Sequence, residues 1–171
     1  MDLSLPLMSD NIGREDVDCL IEFLKQEPIP RLTNGPKVIE FEEKWSKWLG
    51  VKHSVLVNSG TAANELTMLA LKYKYPEGGE IIVPPLTWIS DINSVLFAEF
   101  NPVFVDINLK NLSFDLDKLE ESITDKTKVI YIANPDNPTG TYITKDEFSY
   151  LMEHVPKHVI VILDEAYFEF T

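Results

Sequence analysis

The sequence has little positive charge, one cysteine and no long apolar run. Lysine and arginine number 15 against 28 aspartates and glutamates, which gives a net charge of −13 over 171 residues. Nucleic acids and anionic membranes bind positive surfaces, so neither is an expected partner. A lone Cys19 excludes an intramolecular disulfide. The N-terminus lacks the features of a signal peptide and no stretch reaches transmembrane length, so a reduced, cytoplasmic location is predicted.

Histidine is also scarce, and its positions do not favour a metal site. The three histidines are His53, His154 and His158. The last two are four residues apart, but Pro156 lies between them and breaks the helix that would align them. No metal is therefore predicted.

Helical periodicity and short apolar runs alternate along the chain. Helices are predicted over 13–25, 37–50, 61–74, 88–99, 116–123 and 145–153, and strands over 53–57, 80–83, 102–107, 128–133 and 158–163. Continuous apolar strands are typical of a parallel sheet that is buried on both faces. The alternation predicts one α/β domain of three layers, α/β/α, with a mostly parallel sheet.

Polar loops follow several of the predicted strands, and in open α/β sheets ligands bind at that edge. The stretch "NSGTAANEL" (58–66) contains Gly60, interpreted as allowing a sharp turn, and then begins a helix. Free N–H groups of a first helical turn attract an anion, and the Ser59 and Thr61 hydroxyls can add hydrogen bonds. A phosphate seat is one interpretation; the other is that Ser59 or Thr61 only caps the helix.

"PPLTWISD" (84–91) places Trp88 just after a strand. Its ring can stack on an aromatic ligand, although a core tryptophan is the commoner outcome. Asp91 is interpreted as an acid in the first turn of a helix, beside the positive end of the helix dipole.

Two further loops carry an amide and a carboxylate. "NPDNPTG" (134–140) is a rigid turn that can aim Asn137 at a ligand, or it is only a turn. Asp164 ends an apolar strand, where a carboxylate is costly without a cationic partner. No basic residue is near in sequence. A protonated ring nitrogen of a ligand would serve, or Asp164 caps the following turn.

Together these motifs resemble pyridoxal 5′-phosphate (PLP) enzymes of the aspartate-aminotransferase fold. Residues 5–128 resemble the DegT/DnrJ/EryC1/StrS sugar aminotransferases through "TNGPKVIEFEEKWSKWLG", "VNSGTAA", "IIVPPLTWISDINSVL", "PVFVDI" and "ITDKTK". Residues 129–171 resemble histidinol-phosphate and class I/II aminotransferases through "NPDNPTGTYIT" and "ILDEAYFEF". A typical DegT member has "VHLYG"-like and "EDAAQ"-like stretches in place of "NPDNPTG" and "LDEAY".

The resemblance implies a cofactor, PLP, and a role for each motif. The phosphate would be held by Gly60, Thr61 and Ala62 with Ser59 nearby. Trp88 would stack on the pyridine ring, Asn137 and Tyr167 would hydrogen-bond its 3-oxygen, and Asp164 would pair with its nitrogen. The implied reaction moves an amino group from a small-molecule donor to a keto acceptor, and the implied assembly is a homodimer.

The resemblance also implies that a part of such an enzyme is missing. In both families the Schiff-base lysine follows the aspartate in chain order, and no lysine follows Asp164 here. Residues 1–171 are therefore interpreted as one incomplete large domain, with 1–35 as an N-terminal helix and arm and the C-terminal small domain absent. The isolated chain is expected to be inactive.

Two alternatives to transamination stay open. One is a PLP-dependent sugar dehydratase, in which histidine replaces the lysine. The other is a non-catalytic fragment that binds a phosphorylated ligand. The front part of the chain favours a nucleotide-linked keto-sugar as substrate, and the rear part favours an amino acid or histidinol phosphate.

Overall fold

A computed structural model describes residues 11–170 of the chain, so the first part of the predicted N-terminal arm lies outside the described residues. By their contacts the residues divide into two compact units, one up to Leu56 and one from Val57. Within residues 11–170, none of the helices combines the length and apolar character that a membrane crossing requires.

The described part of the first unit, residues 11–56, contains two helices, as the periodicity predicts. Helix α1 spans Arg14–Leu24, and the Asp16 carboxylate accepts a hydrogen bond from the Gly13 N–H at 2.7 Å. Helix α2 spans Pro36–Leu49 and starts with proline, whose missing N–H costs nothing at that position. It ends at Gly50, which has a left-handed φ of 76°.

The strand predicted over 53–57 is wrong. These residues have no regular secondary structure and no strand pairing, and the Leu56 N–H donates instead to the Glu42 carboxylate at 2.8 Å. An apolar run becomes a strand only where another strand supplies backbone hydrogen bonds. The described residues of the first unit include no strand.

The second unit alternates helices and strands. They are α3 (Gly60–Lys74), β1 (Glu80–Val83), α4 (Ile89–Phe97), β2 (Asn101–Phe104), α5 (Leu116–Glu121), β3 (Thr127–Ala133), α6 (Lys145–His154) and β4 (Ile160–Asp164), followed by a 3₁₀ turn at Phe168–Phe170. The strands form one sheet in the order β2-β1-β3-β4, and every neighbouring pair is parallel. The predicted α/β class is therefore confirmed.

The sheet is buried on both faces. On one face Ile81, Val83 and Tyr131 pack with Met68 of α3 and Val95 of α4. On the other, a second cluster includes Ile82, Ile130 and Ile132 of the strands with Leu119 of α5. Because alternate residues of one strand serve opposite clusters, every strand position must be apolar or hydrogen-bonded.

The register brings the carboxyl ends of the strands to one edge. Val83 pairs with Phe104 at the end of β1 and β2, and Ala133 pairs with Asp164 at the end of β3 and β4. The loops after these strands therefore leave the sheet on the same side.

We expect Ile82→Ala to lower the free energy of unfolding by about 2–5 kcal/mol, because Ile82 has no solvent exposure and the truncation leaves a cavity. Urea denaturation of the purified chain measures this. Leu109→Ala is the matched control, because Leu109 is 86% exposed. Equal losses for the two variants would contradict the assignment of the second cluster as core.

Candidate functional site

The first turn of α3 presents free backbone donors at the carboxyl edge of the sheet. Ser59 caps the helix, since its Oγ accepts the Ala62 N–H at 3.1 Å. In the described part of the chain, the N–H groups of Gly60 and Thr61 have no recorded acceptor. Capping and anion binding are thus compatible here, because the cap uses one donor and leaves two for a ligand.

Gly60 was predicted to allow a sharp turn, but its contribution is open space at the start of α3. It lacks a positive φ, so the turn does not require glycine. A Cβ built at this position meets no atom within 4 Å. The absence of a side chain therefore keeps an open approach to the free N–H groups.

Trp88 is not a core residue. It lies directly before α4 and is 54% exposed, although the last three residues of the preceding strand, β1, are buried. Solvent reaches much of the indole ring, which is what stacking on a ligand requires.

Asn137 and Tyr167, from two different loops, lie together. Asn137 Nδ2 donates to Tyr167 Oη at 3.2 Å. The loop of Asn137 is held to β4 by a hydrogen bond from the Asn134 N–H to the Asp164 carbonyl at 2.8 Å. Two polar groups, an amide and a phenol, are thereby placed beside the end of β4.

Asp164 is the last residue of β4 and is half-buried. Its Oδ1 accepts the Ala166 N–H at 3.2 Å, so it does cap the following turn, and its Oδ2 accepts from the Tyr131 hydroxyl at 2.9 Å. No ion pair to Asp164 occurs among residues 11–170. The carboxylate is therefore available to a cationic group of a ligand.

Three residues behind Asp164 were missed from the sequence. Tyr131 and Asp91 have no solvent exposure, and Asn64 is 9% exposed. Asn64 Nδ2 lies 3.0 Å from Asp91 Oδ1, and Tyr131 Oη lies 2.9 Å from Asn64 Oδ1. Asp91 does occupy the first turn of α4, as interpreted, but it faces the core. The available signal was a tyrosine within an otherwise apolar strand, because a buried hydroxyl needs a partner.

Burial shifts the pKa values of Asp91 and Tyr131. It raises the pKa of Asp91, against the hydrogen bond from Thr87, whose hydroxyl donates to Asp91 Oδ2 at 2.6 Å. Burial and the neighbouring carboxylates of Asp164 and Asp91 also raise the pKa of Tyr131, which therefore stays a neutral donor. The described residues contain no cluster of three or more potential metal ligands.

Fold and site together define an α/β protein in which free N–H donors, an exposed indole ring and the Asp164 carboxylate lie at the carboxyl edge of a parallel sheet. The sequence pattern of the DegT/DnrJ/EryC1/StrS aminotransferase family matches residues 10–135. The chain belongs to this family, which confirms the resemblance of its front part.

Known relatives include a histidinol-phosphate aminotransferase and a sugar aminotransferase, the two kinds of aminotransferase that the sequence resembles. A histidinol-phosphate aminotransferase 2 of Haemophilus influenzae is 37% identical over 147 residues, covering 85% of this chain and 39% of the relative. The UDP-4-amino-4-deoxy-L-arabinose–oxoglutarate aminotransferase of Shewanella sediminis is 36% identical over 126 residues, covering 74% and 31%. The chain thus spans less than two fifths of the length of these relatives.

A solved structure shares the fold. The E. coli GDP-4-keto-6-deoxy-D-mannose-3-dehydratase with bound hydrated PLP has a TM-score of 0.73 and 29% identity. The match covers 92% of this chain and 40% of the dehydratase.

Proposed function

We propose that this chain is the N-terminal portion of the large domain of a PLP-dependent aminotransferase. The observation that carries the proposal is the pairing of free N–H donors at α3 with a carboxylate, Asp164, that lacks a cation, both at the carboxyl edge of one sheet. A phosphorylated pyridine needs these two features at its opposite ends. The relatives of this chain are named as aminotransferases, and one structural neighbour is a dehydratase with bound PLP. Both support PLP as the cofactor.

The residues present fit this cofactor. Gly60 and Thr61 supply free N–H groups for the phosphate, with Ser59 and Ala62 completing the same helical turn. The Thr61 hydroxyl can add a further hydrogen bond. Exposure of Trp88 leaves its ring free to stack on the pyridine.

The other end of the cofactor would meet three polar groups. Asn137 and Tyr167, already in contact, would donate to the ring 3-oxygen, and Asp164 would accept from the ring nitrogen. A carboxylate beside that nitrogen favours its protonated form. When bound, PLP supplies the electron sink for amino-group transfer, and Asp164 holds the proton that makes it effective.

The proposed reaction moves an amino group from a small-molecule donor to a keto acceptor, in a homodimer when the protein is complete. A nucleotide-linked keto-sugar is the favoured acceptor, because the family match covers most of this chain. The histidinol-phosphate relatives keep the amino-acid class as the second candidate. No residue of the described part identifies the acceptor.

Two alternatives have their own support. A dehydratase is supported by the solved neighbour that carries PLP and is named as one. A non-catalytic fragment is supported by the position of the lysines. Lys128 lies at the start of β3 and Lys157 before β4, at the end of the sheet opposite Asp164. All lysines of this sequence precede Asp164, whereas the Schiff-base lysine of the resembled families follows the aspartate. The Schiff-base lysine is therefore proposed to lie outside this sequence.

Pyridoxamine phosphate tests the cofactor site without reacting with surface lysines. Titration calorimetry should show saturable binding of one molecule per chain. Gly60→Ala should weaken it at least about tenfold, a loss of about 1.4 kcal/mol, because the new methyl group occupies the open approach. The stability of this variant should be unchanged or about 1 kcal/mol higher, since alanine favours a helix.

Gly13→Ala is the matched control, a glycine at the start of another helix where a Cβ has ordinary contacts. It should bind like the wild type. Absence of binding by the wild type would refute the cofactor proposal, and wild-type affinity in Gly60→Ala would refute the phosphate position.

Asp164→Asn should lower the affinity for pyridoxamine phosphate by about 10- to 100-fold, because a charge-assisted hydrogen bond contributes about 1.5–3 kcal/mol. Its free energy of unfolding should change by less than about 1 kcal/mol, since the amide oxygen still accepts from Tyr131. Calorimetry and urea denaturation measure the two effects. Asp117→Asn, an exposed acid of α5, is the control, and a loss as large in this variant would argue against a specific role for Asp164.

Borohydride treatment of the chain with PLP tests the position of the lysine. We expect no single lysine to be modified stoichiometrically, as judged by peptide mass spectrometry, because every lysine of this sequence precedes Asp164, whereas the Schiff-base lysine of the resembled families follows the aspartate. Stoichiometric fixation at one lysine would show that the chain supplies its own Schiff-base residue.

A further inference from the structure

Three oxygen atoms surround the hydroxyl group of Tyr131, a side chain without solvent exposure. Asn64 Oδ1 and Asp164 Oδ2 each lie 2.9 Å from Tyr131 Oη, and Asp91 Oδ1 lies 3.3 Å from it. These four residues, Asn64, Asp91, Tyr131 and Asp164, are called the buried network below. They come from α3, α4, β3 and β4.

The buried network contains too few protons if both carboxyl groups are ionised. A phenol carries one proton, and a carboxamide oxygen carries none. The Tyr131 hydroxyl would then face three acceptor oxygens with one proton, leaving two oxygen–oxygen contacts without hydrogen. Buried polar contacts of this kind are strongly unfavourable. At least one further proton must lie on Asp91 or Asp164.

The surroundings of the two carboxyl groups decide which one holds the proton. Asp91 is fully buried, whereas Asp164 is half-buried at the end of its strand. Burial raises the pKa of Asp91, and the charges of Asp164 and Asp136 raise it further, against hydrogen bonds from Thr87 and Tyr131. Within residues 11–170, no basic side chain forms an ion pair with either carboxyl group of the network.

We propose that Asp91 is a positioning residue that stays protonated at neutral pH, so that the buried network carries one negative charge, located on Asp164. A half-turn of the Asn64 carboxamide then places one proton in each contact that joins Asp91 to Asn64, Asn64 to Tyr131 and Tyr131 to Asp164, and the longer contact between Tyr131 and Asp91, at 3.3 Å, involves no charge on Asp91. Asp91 donates to the amide oxygen at 3.0 Å, the amide nitrogen donates to Tyr131 at 2.9 Å, and Tyr131 donates to Asp164 at 2.9 Å. Thr87 donates to the second Asp91 oxygen.

The consequence for the site is a fixed and charged Asp164. The chain of donors ends on its Oδ2 and holds the side-chain orientation, while the Ala166 N–H holds Oδ1. An ionised Asp91 would add a second charge behind it. The role of Asp164 in binding a cofactor rests on the proposed function. The assignment of a proton to Asp91 does not.

Infrared spectroscopy locates the proton directly. The wild-type chain at pH 7 should show the C=O stretching band of a protonated carboxylic acid. Asp91→Asn should remove it, and both Asp164→Asn and the exposed control Asp117→Asn should retain it. A wild-type spectrum without the band, or a band that persists in Asp91→Asn, would overturn the proposal. Asp164→Asn must retain the band even if Asp91→Asn does not fold.

The pH dependence of stability gives a second readout. The folded-state pKa of Asp91 lies above its unfolded value of about 3.9. Between these two values the folded protein holds a proton that the unfolded chain has lost, so wild-type stability falls as pH rises. The ratio of the wild-type unfolding equilibrium constant to that of Asp91→Asn should rise about tenfold per pH unit from about pH 4.5 to 7. A ratio that is constant with pH would contradict a raised pKa and a proton on Asp91.

Binding of pyridoxamine phosphate separates this proposal from the proposed function. Tyr131→Phe, which removes the donor to Asp164, should bind at least about tenfold more weakly. If the wild type does not bind but the infrared band is present, only the proposed function fails. Binding without the band means that the protonation proposal fails alone.

Discussion

The Tyr131 hydroxyl is the interaction on which the arrangement of the sheet edge depends. It lies in the middle layer of the second unit, where no solvent reaches it, so its hydrogen bonds must come from the protein. It obtains them from Asn64 on α3, Asp91 on α4 and Asp164 on β4. One buried polar group thereby fixes two helices and a neighbouring strand relative to β3. Apolar packing alone would tolerate small shifts among these elements, whereas hydrogen bonds at 2.9 Å do not.

The parallel sheet turns this internal constraint into a site. Because all four strands run in the same direction, each strand end delivers its loop to one edge. α3 and α4, which hold Asn64 and Asp91, begin at that edge, next to Ser59 and Trp88. The groups that would bind a ligand are therefore supported by the residues that hold the core together. The ends of helices and of a strand determine the positions of Ser59, Trp88 and Asp164, whereas Asn137 and Tyr167 lie on loops next to β4.

Much of this fold follows from the sequence because parallel strands buried on both faces are continuous apolar runs. The strand at Glu80–Val83 matches its prediction, and the others differ from theirs at their ends. The strand predicted over 53–57 was wrong because apolar character does not supply a strand to pair with. Asn64 was not predicted, and Asp91 was interpreted only as a first-turn acid, because one polar residue in an amphipathic helix has the same pattern whether it faces water or a buried hydroxyl. Their role depends on contacts between residues 27 to 67 positions apart.

Charge balance connects the buried layer with the ligand. A fully ionised site would place Asp91 and Asp164 on the same hydroxyl group with no basic residue paired to either within residues 11–170, and like charges so close are costly in a medium of low polarity. Protonation of Asp91 leaves one negative charge, and a ligand with one protonated ring nitrogen neutralises it. The same site would bind a neutral ring poorly, because Asp164 would remain half-buried and unpaired. With the proton on Asp91 as proposed, the number of protons in the core would set the charge that the site accepts from a ligand.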